Sequence, residues 1–358
     1  MSQFHSLTIQ DVRQETRDSV SLAFDIPAEL NDSFQFTQGQ YLTMRTQLNG
    51  EEVRRSYSIC TGINDGEIRV AVKKVPGGLF STFANEELKV GDELEVMAPT
   101  GNFFIDLDAE REGNYLAVAA GSGITPILSI VKSTLQAEPN STVTLMYGNR
   151  SSSSTMFREQ LEELKNVYMG RLNLIFIFSR EQQDVDLYNG HIDAEKCQEI
   201  FSRWLDVKNL DASFICGPQE MTETVRDMLI EAGSEPDRVF FELFATAGNA
   251  KKREERAAAA AENTSTSSVT VIADGRALAF DLDQNTDSIL DAGNKIGAEL
   301  PFSCKAGVCS TCKCKVVEGE VDMDVNFGLE DYEIEAGYVL SCQAYPVSEK
   351  VVVDFDQI

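Results

Sequence analysis

The chain has 358 residues and a mass of 39.5 kDa, enough for two or three domains that each bury their own core. Its 42% hydrophobic and 25% charged residues match an ordinary globular composition and exclude a fibrous or largely disordered chain. With 31 Lys and Arg against 58 Asp and Glu, the net charge of -27 excludes a general nucleic-acid binder, because that function needs a basic stripe to displace counterions from phosphate; basic protein partners fit better.

The N-terminal MSQFHSLTIQDV carries no basic segment followed by an apolar run, and the longest apolar stretches, at 116–120 and 174–178, are far short of a membrane span. The expectation is a soluble, cytoplasmic protein without membrane contact. Its two histidines, His5 and His191, are too few and too scattered for a histidine-based metal centre.

The first ~105 residues alternate apolar and polar in short runs, as in Val20/Leu22/Phe24/Ile26, Ile68/Val70/Val72 and Leu94/Val96. That period predicts an antiparallel barrel or sandwich. Within it, Arg55-Ser56-Tyr57-Ser58 lies on an alternating strand, and Gly77-Gly78-Leu79-Phe80-Ser81 reads as a loop entering a helix. From Tyr115 the texture changes to continuous apolar strands (115–120, 143–147, 174–178, 213–216) separated by helical stretches (126–135, 157–165, 194–201, 221–231), the pattern of a parallel sheet covered by helices. Gly121-Ser122-Gly123-Ile124-Thr125-Pro126 follows the first of these strands and opens a helix, where glycines let a pyrophosphate approach backbone N–H groups and Pro126 costs the first turn no hydrogen bond. A bare turn without a ligand is the simpler alternative. Cys216-Gly217-Pro218 ends a later strand and Glu242-Leu243-Phe244 ends the last one.

Residues 248–267 are charged, then alanine-rich, then Ser/Thr-rich, with nothing to bury; they predict a linker, partly a solvated helix, whose flexible reach is about 25 Å. A separate domain follows, opening with a hairpin at 269–272 and 278–280.

Cys304, Cys309 and Cys312 form C-x4-C-x2-C, and 29 residues separate Cys312 from Cys342. This is the plant-type spacing for a 2Fe-2S cluster, and the small residues of the loop leave room for N–H groups beside the sulfurs. A zinc site usually shows two C-x2-C pairs, whereas only one is present; a Rieske centre needs two histidines, and none accompanies the cysteines. Cys314 is either a spare ligand or a buried inert thiol, the latter favoured, and Cys60 and Cys197 have no assigned role. Residues 268–358 hold 17 Asp and Glu against 6 Lys and Arg, among them Asp322, Asp324, Glu330, Asp331 and Glu333 between Cys312 and Cys342. This run is either a solvated surface or a face that steers a basic partner, and the second reading is preferred.

Together and in this order, these segments resemble the ferredoxin-NADP reductase family with a ferredoxin domain fused at the C-terminus, over the whole chain. The resemblance implies a multidomain protein: an antiparallel β-barrel FAD domain (1–105), an α/β parallel-sheet NAD(P) domain (106–247), the linker (248–267) and an α+β β-grasp 2Fe-2S ferredoxin domain (268–358). It implies that Arg55 pairs with the FAD pyrophosphate, that Tyr57 packs on the isoalloxazine and that Ser58 hydrogen-bonds near its N5, with Gly78 and Ser81 cradling the phosphates. Gly121, Ser122, Gly123, Thr125, Pro126, Gly217 and Pro218 would hold the nicotinamide dinucleotide, Cys216 would lie beside its ring, and Glu242 and Phe244 would close the flavin edge. Ser58, Cys216 and Glu242 are then the catalytic candidates. Arg150, in the turn Asn149-Arg150-Ser151-Ser152, and Ser179-Arg180 resemble a 2'-phosphate site, so NADPH is expected over NADH.

Segments such as RRSYSIC, YGNRSSSSTMF and GYVLSCQAYP further resemble reductases that serve a separate di-iron oxygenase, which would dock on the acidic ferredoxin domain. The electron bookkeeping agrees, since a nicotinamide gives two electrons at once, a 2Fe-2S cluster takes one, and a flavin converts between them. Other readings remain: a reductase for another oxygenase or a hybrid-cluster protein, or a non-enzymatic electron-transfer or redox-sensing protein with a vestigial nucleotide loop.

Overall fold

The computed structural model describes residues 3–244, 256 and 265–357. Contacts divide the chain into two compact units, 3–244 and 245–358 with the first two residues.

The alternating segments at the start of the first unit form β1 (Phe4–Thr16), β2 (Ser19–Asp25), β3 (Tyr41–Leu48), β4 (Glu51–Ser58), β5 (Ile68–Lys73) and β6 (Glu93–Met97). All pair antiparallel in the order β4-β3-β6-β1-β2-β5. A bridge between Ile59 and Val70, with Cys60 N donating to Arg69 O at 2.9 Å, joins the two outer strands. The sheet is thereby a closed barrel rather than a sandwich. Leu7, Ile9, Leu22, Phe24, Leu42, Val70 and Val96 point inward, as a period of two demands, and helix α1 (Leu79–Glu86) plugs the barrel with Phe80 and Ala84.

The apolar strands become β7 (Asn114–Ala120), β8 (Thr142–Asn149), β9 (Leu172–Phe178), β10 (Ala212–Cys216) and β11 (Val239–Glu242), all parallel in the order β11-β10-β7-β8-β9. They lack alternation because both faces are covered. Ala117 and Ala119 pack toward α2 (Ile124–Ala137) in one core, while Leu116 and Val118 join the side chains of α4 (Ala194–Trp204) and α5 (Gln219–Glu231) in another. Helix α3 (Arg158–Val167) contributes Leu161 and Leu164 to the first core.

The barrel is latched to α2 just beyond β4. Lys132 Nζ bonds Asp65 at 2.5 Å, Ser129 Oγ donates to Thr61 O at 2.7 Å, and Ile63 N donates to Ser133 Oγ at 3.1 Å. These half-buried and buried bonds fix the strand carrying Tyr57 and Ser58 relative to the helix that begins at the glycine loop.

The second unit has a five-stranded sheet ordered β13-β12-β18-β14-β16, made of β12 (Thr266–Ala273), β13 (Arg276–Asp283), β14 (Lys313–Glu318), β16 (Tyr338–Leu340) and β18 (Lys350–Asp354). Helix α6 (Ile289–Lys295), capped by Ser288, lays Ile289 and Leu290 on its apolar core. A two-stranded ribbon pairs β15 (Val321–Met323) with β17 (Ala344–Pro346), and a short helix α7 spans Asp331–Glu335.

The expected linker falls largely outside the described residues. Where it is described it differs from the expectation: β12 begins at Thr266, with Ser267 fully buried, so the folded unit starts two residues earlier. Arg256 is not a solvated linker charge either; its guanidinium bonds Asp324 and Asp322 and lies over the Tyr345 ring at 3.9 Å. Among the described residues, no helix is long and apolar enough to cross a membrane.

Candidate functional site

The carboxyl ends of the parallel strands converge where β7 and β10 lie side by side, the switch point at which open α/β sheets take ligands. β7 runs into the tight turn Gly121–Gly123 and then α2. A Cβ on Gly123 would fall 2.1 Å from Cys216 O, and one on Gly217 would fall 2.6 Å from Met221 Cε. At Gly123 glycine is needed because two strand ends pass backbone against backbone, whereas at Gly217 the nearest atom is the flexible end of Met221. Gly121 adopts φ +55, its carbonyl accepts from Tyr147 OH at 2.9 Å, and Thr125 Oγ1 donates to Ser122 O at 3.1 Å. No side chain caps α2, which grows out of the turn through Ile124 N donating to Gly121 O and Ser122 O, so the positive end of the helix dipole lies at the glycine loop. This bare, glycine-lined cradle fits a dinucleotide pyrophosphate.

Ser58 ends β4 in the barrel and Glu242 ends β11 in the parallel sheet, yet Ser58 Oγ donates to Glu242 Oε2 at 3.4 Å. β10 and β11 pair so that Cys216 stands beside Glu242, which brings all three catalytic candidates together. Burial pushes the Glu242 carboxyl up to about 8, against the opposing pull of the Ser58 hydroxyl, and burial pushes the Cys216 thiol up as well, with Glu242 adding to it. Glu242 is therefore a carboxyl that holds a proton near neutrality. Phe244, expected at the flavin edge, is 41% exposed.

The remaining flavin candidates lie nearby on β4 and the loop before α1. Tyr57 tilts onto Phe80 with ring centroids 5.5 Å apart, and burial raises its phenol. Arg55 is exposed, with one nitrogen donating to Arg54 O at 2.7 Å. Gly78 is the N-cap of α1, and a Cβ there would lie 2.5 Å from Ser81 Oγ. Ser81 is itself occupied in closing the loop: its hydroxyl accepts from Val75 N at 3.1 Å and donates to Gly78 O at 3.3 Å. It shapes the cradle.

At the ends of β8 and β9 the backbone ties Arg180 N to Arg150 O at 2.8 Å and Ser179 N to Asn149 O at 2.9 Å, so two exposed arginines share one turn. The sequence reading missed a third member. Glu181 accepts from Ser152 N and Oγ at 2.7 and 2.8 Å, and these bonds hold its carboxyl below the usual range. Its position directly after Ser179-Arg180 was the available signal.

In the second unit the four cysteines form two pairs. Cys304 and Cys309 place their sulfurs 3.0 Å apart, and Cys312 meets Cys342. Ala306 N donates to Cys304 Sγ at 3.3 Å; the Cys309 contact and such backbone donors hold the Cys304 thiol low. Among the described residues no group of three or more His, Cys, Asp or Glu is arranged around a single metal position. Two adjoining thiol pairs fit two irons. Cys314 is fully buried on β14 opposite Val339, in the apolar core, and burial raises its thiol.

The acidic run divides in two. Asp324 and Glu333 are buried and engaged, the first by Arg256 and the second by Lys313 at 2.8 Å, so they cannot be the steering charges expected of them. Glu330, Asp331 and Glu335 are exposed, beside exposed Tyr332 and Ile334 on α7.

A barrel with a phosphate cradle, a parallel sheet with a dinucleotide crevice and a cysteine-paired ferredoxin unit define a flavin- and nicotinamide-dependent iron–sulfur oxidoreductase. Residues 6–105 match the oxidoreductase FAD-binding domain, 117–227 the oxidoreductase NAD-binding domain and 271–347 the 2Fe-2S iron–sulfur cluster binding domain. The chain belongs to the family of FAD- and 2Fe-2S-containing reductase components of oxygenases. It is 48% identical to a subunit of 1,2-phenylacetyl-CoA epoxidase from Escherichia coli (strain K12), over 99% of each chain. It is 31% identical to the ferredoxin reductase component of 3-ketosteroid-9-alpha-monooxygenase from Rhodococcus rhodochrous, over 98% of this chain and 96% of that one. The solved phthalate dioxygenase reductase superposes with a TM-score of 0.61 at 25% identity, covering 98% of both chains.

Proposed function

We propose that this protein carries electrons from NADPH to a di-iron oxygenase that epoxidises phenylacetyl-CoA, in the cytoplasm, through three domains bounded near 1–105, 106–247 and 268–358. The observation that supports this reading most is the 48% identity to a subunit of the Escherichia coli epoxidase along the full length of both chains.

A bound FAD would supply the conversion of a two-electron hydride into single electrons that a 2Fe-2S cluster can accept. Arg55, Tyr57, Ser58, Gly78 and Ser81 hold the flavin, with Phe244 as a cover at its edge. Gly121, Ser122, Gly123, Thr125, Pro126, Gly217 and Pro218 bind the dinucleotide, while Cys216 excludes water beside the nicotinamide. Glu242, protonated around neutrality, accepts from Ser58 Oγ at Oε2 and holds its proton on the other carboxyl oxygen. Arg150, Ser179 and Arg180 recognise the 2'-phosphate, and Glu181 keeps their turn in shape through Ser152. Cys304, Cys309, Cys312 and Cys342 hold the cluster, and Glu330, Asp331 and Glu335 steer the oxygenase.

Reconstitution with the other subunits of the Escherichia coli epoxidase tests the acceptor. NADPH-dependent formation of the epoxide of phenylacetyl-CoA is expected. Rapid ferricyanide reduction without any epoxide, alongside turnover of a ketosteroid oxygenase, would move the chain to another oxygenase. Coenzyme choice is tested separately: Arg150→Ala with Arg180→Ala should lower the NADPH/NADH ratio of kcat/KM about tenfold or more, and an unchanged ratio removes the 2'-phosphate assignment.

A further inference from the structure

The residue after the last cysteine of the cluster motif is a glutamine, and its side chain is almost completely enclosed, with 3% exposed. Burying a primary amide is costly unless its hydrogens find acceptors. Gln343 Nε2 has three within reach: Lys305 O and Cys342 O at 3.0 Å each, and Cys342 Sγ at 3.6 Å. Two carbonyl oxygens at that distance fix the orientation of the amide, because the carbonyl end turned the same way would face oxygen with oxygen.

The surroundings hold the amide where it is. Lys305, between the first two cysteines, sits in the left-handed region at φ +50, which turns its carbonyl toward Gln343. Gly307 passes so close that a Cβ there would lie 3.0 Å from Gln343 Cγ. Its backbone is held too: the Gln343 main-chain carbonyl accepts from Asp324 N at 3.0 Å, and the Asp324 carboxylate is clamped by Arg256. One residue, by its side chain and its backbone together, thus joins the cysteine loop, the turn of Cys342 and the β15–β17 ribbon.

We infer that Gln343 is a positioning residue for the iron–sulfur cluster, which closes the loop through Lys305 O and gives an N–H···S hydrogen bond to Cys342 Sγ that favours the reduced cluster. The amide has two hydrogens for three acceptors, so the strongest acceptor takes its share first. A cysteine that ligates iron is a thiolate and outcompetes the carbonyl of its own residue. Reduction adds one negative charge to the cluster, an N–H dipole aimed at a ligand sulfur stabilises that added charge, and hydrogen bonds to cluster sulfurs are among the determinants of potential. The inference rests on Cys304, Cys309, Cys312 and Cys342 being the ligands.

The test uses the full-length protein with its cofactors. Gln343→Leu keeps the bulk and removes the donor, and Gln343→Glu keeps the length and replaces the donor by an acceptor. At a fixed poise both variants should show about a tenfold lower reduced-to-oxidised ratio of the cluster, equal to 59 mV for a one-electron couple. Wild-type ratios in both variants, with the iron–sulfur spectrum intact, would overturn the inference. A second measurement needs no variant: in wild-type protein labelled with 15N in the glutamine side chain, pulsed EPR of the reduced cluster should detect coupling to that nitrogen. No coupling also overturns it, including the case in which the variants lose the cluster. Failure of the ligand assignment would look different, since the wild type itself would then lack a 2Fe-2S spectrum.

Discussion

The crevice in residues 3–244 and the cysteine loop in the second unit are built by opposite strategies. Three of the four cysteines proposed as cluster ligands lie between 304 and 312, so the loop is almost a local object whose chemistry resides in side chains. The crevice brings Ser58 to Glu242 across 184 residues and Gly123 to Cys216 at the ends of two neighbouring strands far apart in sequence, and much of its work is done by backbone. Sites built so differently should break differently. The loop fails when one ligand atom is lost; the crevice fails when an atom is added.

The largest effect is expected in the loop. Serine at Cys304, Cys309, Cys312 or Cys342 should abolish the iron–sulfur spectrum and reduction of a protein acceptor while leaving NADPH-dependent ferricyanide reduction, whereas Cys314→Ser should keep its cluster. Iron content and visible absorption check this directly; a cluster lost in a well-folded Cys314→Ser would exchange the assignments.

Adding one methyl group in the crevice comes next. Gly123→Ala forces a Cβ against Cys216 O, a backbone atom that can yield only by moving β10. Overpacking of this kind costs about 1–3 kcal/mol, and the nucleotide KM should rise well before the barrel loses its flavin. If KM stays at the wild-type value, the two strand ends are looser than their geometry indicates.

Glu242 separates the crevice from the loop through pH. Its carboxyl is raised to about 8 from an ordinary value of 4.5. The folded chain therefore binds this proton more tightly than the unfolded one, and the associated stability is complete below about 4.5 and lost as pH climbs through 8. Glu242→Gln, neutral throughout, should have nearly wild-type Tm at pH 5 and a higher Tm at pH 9, a gain of at most a few kcal/mol at about 1.4 kcal/mol per unit. The same variant should remove any step near pH 8 from the kcat profile of ferricyanide reduction. An equal Tm difference at both pH values would show that the group titrates normally.

The smallest effect concerns docking. Replacing Glu330, Asp331 and Glu335 by their amides should reduce the rate of oxygenase reduction several-fold at low salt and flatten its salt dependence, because such charges act over a Debye length of about 8 Å at physiological ionic strength. Ferricyanide reduction should not change. A salt profile identical to that of the wild type would leave these residues as a solvated surface.

Much was legible in the sequence alone. The cysteine spacing pointed to two irons because ligand geometry is tied to a short loop, and the change from alternating to continuous apolar runs separated a sheet with one buried face from one covered on both. The glycines at 121, 123 and 217 could be noticed, though not that Gly123 passes against the Cys216 backbone. Only the tertiary structure decided that the first sheet closes as a barrel through Ile59 and Val70, that Ser58 and Glu242 share a hydrogen bond, and that Glu181 belongs to the turn of Arg150. It also decided which acidic residues are exposed: Asp324 and Glu333 look like their neighbours in sequence but are buried against Arg256 and Lys313. Period and spacing are properties of contiguous chain, readable residue by residue. Which charge is desolvated, and which donor meets which acceptor, depends on segments that approach only when the chain folds.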